Sequence, residues 1–248
     1  MKYKLFSTEK NFSEPMHHGL DEALVEWVEE NGEPVIRFWK RDEPAIPIGR
    51  FQSYEDEVAA DYVKEKGWDV VRRITGGGAM FVQPGKVITY SLYVPREEVT
   101  DDFVESYEEL DSFVVKGLNK LGIDAYHEPI NDIVCKEGKI GGSAQLRRGT
   151  VVLHHATLNY GIDVKEMLKC LRIGKEKISD KAIKSAEKRV TGISEKVDLS
   201  VEEVSEALLE SFSEDNEVED FEFGSSVFKR AEELSVEKFG SSSWNKKL

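Results

Sequence analysis

The sequence predicts an α+β fold with a mixed or largely antiparallel sheet covered by helices. Three observations carry this. Apolar residues recur at helical spacing near residues 20–28 and 103–121. The β-rich stretches arrive in runs, not in regular alternation with helices. The chain of 248 residues is 40% hydrophobic, enough to bury a core and too much for a disordered or fibrous chain. Grouped strands argue against a doubly wound parallel sheet, which needs a crossover helix between successive strands.

Leu20, Ala23, Leu24, Trp27 and Val28 fall on one helical face, and Asn31-Gly32 ends that helix. Val35–Trp39, Ile46–Phe51 and Trp68–Arg73 read as strands. Val87–Val94 is β-rich, and Pro95 closes it. Phe103, Tyr107, Leu110, Val114 and Leu121 mark a long amphipathic helix capped at Gly122. Ile133–Cys135 and Thr150–Tyr160 return to β character. Short helices follow at Val164–Leu171, Val201–Phe212 and Val227–Leu234, with the acidic stretch Glu214–Glu222 as a loop before the last. The expectation is one domain over 1–248, with a helical tail from about 198 to 248.

Lys+Arg total 34 against 48 Asp+Glu, a net charge of −14. That excludes broad electrostatic binding to nucleic acid or an anionic membrane, since both need clustered cations. Docking of an acidic protein would require a local patch. Two cysteines, Cys135 and Cys170, make no disulfide framework. The start, MKYKLFSTEKNF, lacks the apolar core of a signal peptide. No run reaches the ~20 apolar residues of a membrane helix. A cytoplasmic protein is expected.

Two islands interrupt the acidic background. Arg72–Lys86 holds three cations and no acid, and Gly138–Ile162 holds Lys139, Arg147 and Arg148, again with no acid. Both are glycine-rich. Glycine lets the backbone approach a ligand, and successive N–H groups can cradle an anion. Neither island is a Walker A loop, because Gly85-Lys86 and Gly138-Lys139 are followed by Val87 and Ile140. No Gly-x-Gly-x-x-Gly follows Arg73. Gly76-Gly77-Gly78 can be a tight turn, but the adjoining Arg72-Arg73 and Thr75 favour a ligand loop.

These residues resemble the lipoate–protein ligase A family, within the group of biotin and lipoate ligases and transferases. The match comprises Arg72-Arg73-x-Thr75-Gly76-Gly77-Gly78-Ala79, Asn131-Asp132-Ile133, Lys139-Ile140-Gly141-Gly142-Ser143-Ala144-Gln145 and His154-His155-Ala156-Thr157-Leu158. Weaker matches are Arg37-Phe38-Trp39, Ile48–Gln52, Lys184-Ser185 through Arg189-Val190-Thr191, and Trp244-Asn245. The order follows the family along nearly the whole chain.

The resemblance implies an α+β catalytic domain and a two-step ligase. Lipoate and ATP give lipoyl-adenylate and pyrophosphate. The lipoyl group then passes to a lysine of a lipoyl domain of a 2-oxoacid dehydrogenase acyltransferase, or of the glycine-cleavage H protein. ATP and Mg²⁺ are the implied cofactors, with no zinc and no flavin. Lys139 is similar to the family lysine at the adenylate, where a cation would meet charge developing on the acyl carbonyl. Arg72, Arg73, Thr75, Gly76, Gly77, Gly78, Ala79, Lys86, Asn131, Asp132, Ser143, Ala144 and His154 are implied to bind substrate or nucleotide. Asp132 is implied near Mg²⁺, which takes few protein carboxylates beside phosphate oxygens.

Arg72 and Arg73 alternate faces, so at most one meets the ligand directly. His154 and His155 likewise point to opposite faces. The chain departs from the family at Val82-Gln83, where His-Asp is common, and at Lys86 and Gly192, where Asn is common. Ending after Trp244-Asn245, it resembles the short form whose accessory domain is a separate protein. The alternatives are an ATP-independent octanoyl or lipoyl transferase, which needs a reactive cysteine, and a non-catalytic lipoyl-domain binding subunit. Cys135 lies downstream of Asn131-Asp132, whereas the similar transferases carry their cysteine upstream of that segment.

Overall fold

The computed structural model describes residues 1–8, 10–172 and 190–248. Lys184, Ser185 and Arg189, named above, lie outside the described residues. The strands in chain order are β1 (Lys2–Phe6), β2 (Val35–Phe38), β3 (Ala45–Ile48), β4 (Asp69–Arg72), β5 (Val87–Pro95), β6 (Ala125–Glu128), β7 (Asp132–Cys135), β8 (Gly138–Arg148), β9 (Val151–Asn159) and β10 (Glu217–Asp220). The helices used below are α1 (Glu14–Asn31), α2 (Tyr54–Glu57), α3 (Ala60–Lys66), α4 (Phe103–Lys120), α5 (Val164–Cys170), α6 (Val201–Ser213) and α7 (Ser225–Leu234).

Eight strands form one mixed sheet in the order β10-β1-β2-β5-β9-β8-β7-β6. The β10–β1 and β1–β2 pairs are parallel, and the remainder are antiparallel. The fold is α+β, as the grouped strands require. Its central strand β5 is buried along eight of its nine residues, because helices cover both faces. Alternation therefore separates two cores. Ile88, Tyr90, Leu92 and Val94 of β5 share a cluster with Phe113 and Val114 of α4 and with Leu208 of α6. Tyr93 of β5 and Leu153 of β9 share another with Leu20 and Leu24 of α1 and Val227 and Ala231 of α7. Each fully buried Leu, Val or Phe contributes roughly 1.5–3 kcal/mol. A side chain at Gly19 would put its Cβ 2.3 Å from the Ala231 carbonyl oxygen, so glycine is what lets α1 and α7 approach.

A smaller parallel pair, β3 and β4, carries the third cluster. Ile46, Ile48, Val63, Phe81, Met167 and Leu168 join it to α3 and α5. The glycine-rich segment after β4 runs between this layer and the main sheet.

Helix ends follow the sequence. Gly32 (φ 70°) closes α1 by donating to the Val28 carbonyl, and Asp102 caps α4 by accepting from the Val104 and Glu105 N–H groups. Three expectations need correction. Glu214–Glu222 is not only a loop, because Glu217–Asp220 forms β10 at the sheet edge. The tail is accordingly not purely helical. The first residues form β1, whose Lys2 and Lys4 pair with Glu219 of β10. β1 buries Tyr3 and Phe6 in the two cores, β10 packs only Val218 there, and charge pairs line the exposed side of the parallel ladder. The strand expected over Ile46–Phe51 stops at Ile48, because Arg50 and Phe51 turn the chain. The acid-free island Gly138–Ile162 holds the antiparallel pair β8 and β9.

Candidate active site

The glycine-rich segment is held by two arginines that do different work. Arg72 is fully buried and points away from the cavity described below. Its guanidinium donates to the carbonyls of Gly49, Arg50, Gln52, Trp244 and Asn245, at 2.6–3.2 Å. It ties β4 to the turn after β3 and to the C-terminal segment, and it is not among the residues that line the cavity. Arg73, on the opposite side of the chain, donates to the Pro47 carbonyl at 3.0 Å and to the Gly76 and Gly78 carbonyls at 2.8 and 2.9 Å. It fixes the loop and lines the cavity. Burial pushes its guanidinium down to about 10, and its Nε has no hydrogen-bond partner. Gly77 (φ 89°) lies in the left-handed region, and a Cβ on Gly49 would meet the Gly77 carbonyl at 1.9 Å.

Opposite this loop, β7 and β8 bring up a second set. Lys139 Nζ donates to Asp132 Oδ1 at 2.6 Å, with both side chains partly exposed. Asn131 Nδ2 donates to the Ser143 carbonyl at 2.6 Å. A Cβ on Gly142 would fall 3.0 Å from Lys139 Nζ, and one on Gly141 would fall 2.8 Å from the Thr157 carbonyl. The glycine pair after Lys139-Ile140 is therefore needed for close packing, not for an unusual φ.

Between the two sets lies a cavity of about 280 Å³. Its wall carries the polar Arg73, Lys139, Asn131 and His155, and the apolar Phe81, Ile162, Met167 and Leu171, which share one cluster. A ligand with both an apolar part and an anionic group matches that lining. Gly77, Gly78, Ala79, Ser143 and Ala144 complete the wall. Thr75, Gly76 and Asp132 stand one hydrogen bond behind the wall, through His155, Arg73 and Lys139 respectively. Two further expected residues are not in this wall. Lys86 is exposed and contributes its carbonyl, which accepts from Tyr160 and Gly161 N–H. His154 does not line the cavity, because it faces α4.

The histidine that reaches the cavity is His155. Its Nδ1 lies 3.0 Å from Asp21 Oδ2 and its Nε2 lies 2.8 Å from Thr75 Oγ1. Burial lowers its pKa below the ordinary histidine value, against the raising effect of Asp21. Asp21 is fully buried. Desolvation alone would raise its pKa, but the His155 contact and the Arg37 charge hold it below the usual carboxylate value. Sequence reasoning missed Asp21, although it shares the helical stripe of Leu24 and Val28. An acid within an apolar stripe was the available signal.

Cys135 is buried with Sγ 3.2 Å from Glu137 Oε2, and it does not line the cavity. Burial, with Glu137, pushes its thiol above the ordinary value. Burial pushes Cys170 up to about 12. Neither thiol is poised as a thiolate. Among the described residues, no three His, Cys, Asp or Glu side chains cluster as a metal site, and no helix is long and apolar enough to cross a membrane.

Residues 15–213 match the model of the lipoyl protein ligase A/B catalytic domain. The chain belongs to the lipoyl protein ligase A/B family. It is 32% identical over 258 residues to lipoate-protein ligase A subunit 1 of Thermoplasma acidophilum, covering 99% of this chain and 97% of that protein. It is 27% identical over 256 residues to an octanoyltransferase of Lysinibacillus sphaericus, covering 91% of this chain and 92% of that one. Among solved structures, it resembles the bi-partite lipoate protein ligase of T. acidophilum, studied with its E2 lipoyl domain. The TM-score is 0.90 at 30% identity, over 99% of this chain and 96% of that one. A lipoate-protein ligase A bound with ATP gives 0.85 at 27% identity over 99% of both chains. Membership places the chain among the enzymes of the lipoate ligase and transferase family, and its relatives include both lipoate ligases and octanoyltransferases.

Proposed function

We propose that the chain is an ATP-dependent lipoate–protein ligase. The observation that carries this is a cavity lined by Arg73 and Lys139 together with apolar side chains and, among the described residues, by no cysteine. In the proposed first step the lipoate carboxylate attacks the α-phosphorus of ATP. An acyl O–P bond forms, the α–β phosphoanhydride P–O bond breaks and pyrophosphate leaves. In the second, the neutral ε-amine of an acceptor lysine attacks the acyl carbonyl. A C–N bond forms, the acyl C–O bond breaks, AMP leaves and the amine gives up a proton.

Negative charge grows on the carbonyl oxygen in that attack and on phosphate oxygens in the first step. Lys139 is a partly exposed cation in the wall, and leaving Asp132 for the developing oxyanion would stabilise the transition state more than the ground state. Arg73 keeps the glycine loop open toward an anion while its charge remains buried beside the cavity. Met167, Phe81 and Leu171 exclude water from the acyl chain. Mg²⁺ would arrive with the nucleotide on phosphate oxygens and neutralise their charge, Asp132 being the carboxylate at hand.

A lipoyl domain or an H protein is the proposed acceptor, and a separate accessory protein is the proposed partner. The T. acidophilum relative, described as bi-partite and studied with a lipoyl domain, supports both. The raised thiol of Cys135 speaks against the transferase reading.

The test is pyrophosphate release from ATP with lipoate, with and without a lipoyl-domain acceptor and the accessory protein. Lipoate-dependent release with a mass gain on the acceptor is expected. Acyl transfer from a carrier without ATP would establish the transferase instead. Lys139→Ala should lower the rate about 10²–10³-fold. Its unfolding free energy should stay within about 0.5 kcal/mol, as for a surface change. A folded Lys139→Ala protein of undiminished rate would remove Lys139 from this mechanism.

A further inference from the structure

The buried polar side chains behind the cavity form a chain that ends on the glycine loop. Asp21 Oδ1 accepts from Tyr93 OH at 2.5 Å, Ser91 Oγ at 3.1 Å and Arg37 Nη1 at 3.3 Å. Its other oxygen is left for His155 Nδ1. A carboxylate only accepts, so His155 carries its proton on Nδ1. Nε2 then presents a lone pair, and Thr75 must donate its hydroxyl proton to it. The Thr75 carbonyl in turn accepts from Arg50 N–H at 2.9 Å. Thr75 is followed directly by the three glycines, which have no side chains to anchor themselves. Arg73 holds their carbonyls from one side, and the α1 relay holds their first neighbour from the other.

We infer that Asp21 is a positioning residue, which fixes the tautomer of His155 and through it the Thr75 hydroxyl and the glycine loop that walls the cavity. This rests on the ligase reading for its kinetic test alone. Metal ligands orient in the same way when an outer carboxylate sets a histidine tautomer. Here the oriented object is a loop, and misplacing it would disturb the alignment of the acid and the α-phosphate.

Two measurements on the full chain decide it. Long-range ¹H–¹⁵N spectra of ¹⁵N-histidine-labelled protein, with His155→Gln to assign the signal, should show His155 neutral at pH 7 with the proton on Nδ1. Asp21→Asn presents an N–H₂ group to Nδ1 and should move that proton to Nε2. An Nε2–H or doubly protonated His155 in the wild type overturns the inference, whether or not the protein proves to be a ligase. The second measurement is lipoate-dependent pyrophosphate release. Thr75→Val should lower kcat about 10- to 100-fold, the scale expected for misplacement of reacting groups. It should change KM for lipoate less, and Thr75→Ser should restore most of the rate. Equal loss in the Val and Ser variants, or no loss in Val, overturns it. If Asp21→Asn fails to fold, the wild-type tautomer and the Thr75 pair still decide. Absence of pyrophosphate release in the wild type would count against the ligase reading alone, and the spectra would then judge Asp21.

Discussion

Two adjacent histidines of β9 meet two buried aspartates on opposite faces of the sheet, and only one of the two histidines lines the cavity. On the α4 face, His154 Nε2 lies 2.8 Å from Asp111 Oδ1, and His154 Nδ1 meets Gln145 Nε2 at 3.2 Å. Asp111 also accepts from Tyr90 OH and, at 2.6 Å, from Ser143 Oγ. On the α1 face, His155 uses its other nitrogen for the acid, and its Nε2 ends on Thr75. Asp111 shares a stripe with Tyr107, Val114 and Leu118, as Asp21 does with Leu24 and Val28. The same device therefore serves two ends. The α4 unit ties the sheet strands β5, β8 and β9 to α4, and the α1 unit passes its constraint to a loop.

The sharpest way to break that comparison is Asp111→Ala. It leaves Tyr90, Ser143 and His154 without their acceptor in a dry environment. At roughly 1–3 kcal/mol for each stranded buried group, several kcal/mol of stability should be lost. Equilibrium urea unfolding measures this. A loss under about 1 kcal/mol would mean the α4 unit is not the structural one.

A smaller effect follows from pH. His17 and His155, both on the α1 face, have pKa values held below the ordinary 6.5 by burial. On unfolding each regains that value, so below pH 6.5 the unfolded chain binds more protons than the folded one. Stability then rises with pH and is lost as pH falls, by up to about 1.4 kcal/mol per pH unit for each histidine. The lowered carboxylates of Asp21 and Glu14 act in the same direction at lower pH. The melting temperature should be level near pH 7–8 and decline below about 6.5. His17→Gln should flatten that decline in proportion. An equal slope in this variant would place the acid sensitivity elsewhere.

The smallest effect should come from Cys135→Ser. Cys135 belongs to the α4-face cluster and lies away from the cavity. Activity should be retained, with a stability cost of about 1 kcal/mol for a hydroxyl in a thiol's place. Complete loss of activity in a folded variant would reverse both the comparison and the ligase reading.

Local pattern was enough for much of this molecule. The grouped strands, the paired amphipathic helices and the acid-free islands were legible, because period and charge are properties of a short stretch of chain. So was the fact that His154 and His155, or Arg72 and Arg73, diverge, since neighbouring strand residues must. Which member of each pair meets the cavity was not legible. That depends on which layer stands opposite: α4 fills the space before His154, while β3, β4 and α5 leave a gap before His155. Arg72 was captured by carbonyls from Gly49 to Asn245, groups far apart in sequence. The edge strands β1 and β10 were hidden for a related reason. Glu217–Asp220 offers only Val218 to the core, too little to advertise a strand, and it becomes one by pairing with β1, more than two hundred residues away. The sequence by itself determined which residues could share a face. The tertiary structure decided what each face would meet, because that is a property of distant segments brought together by burial.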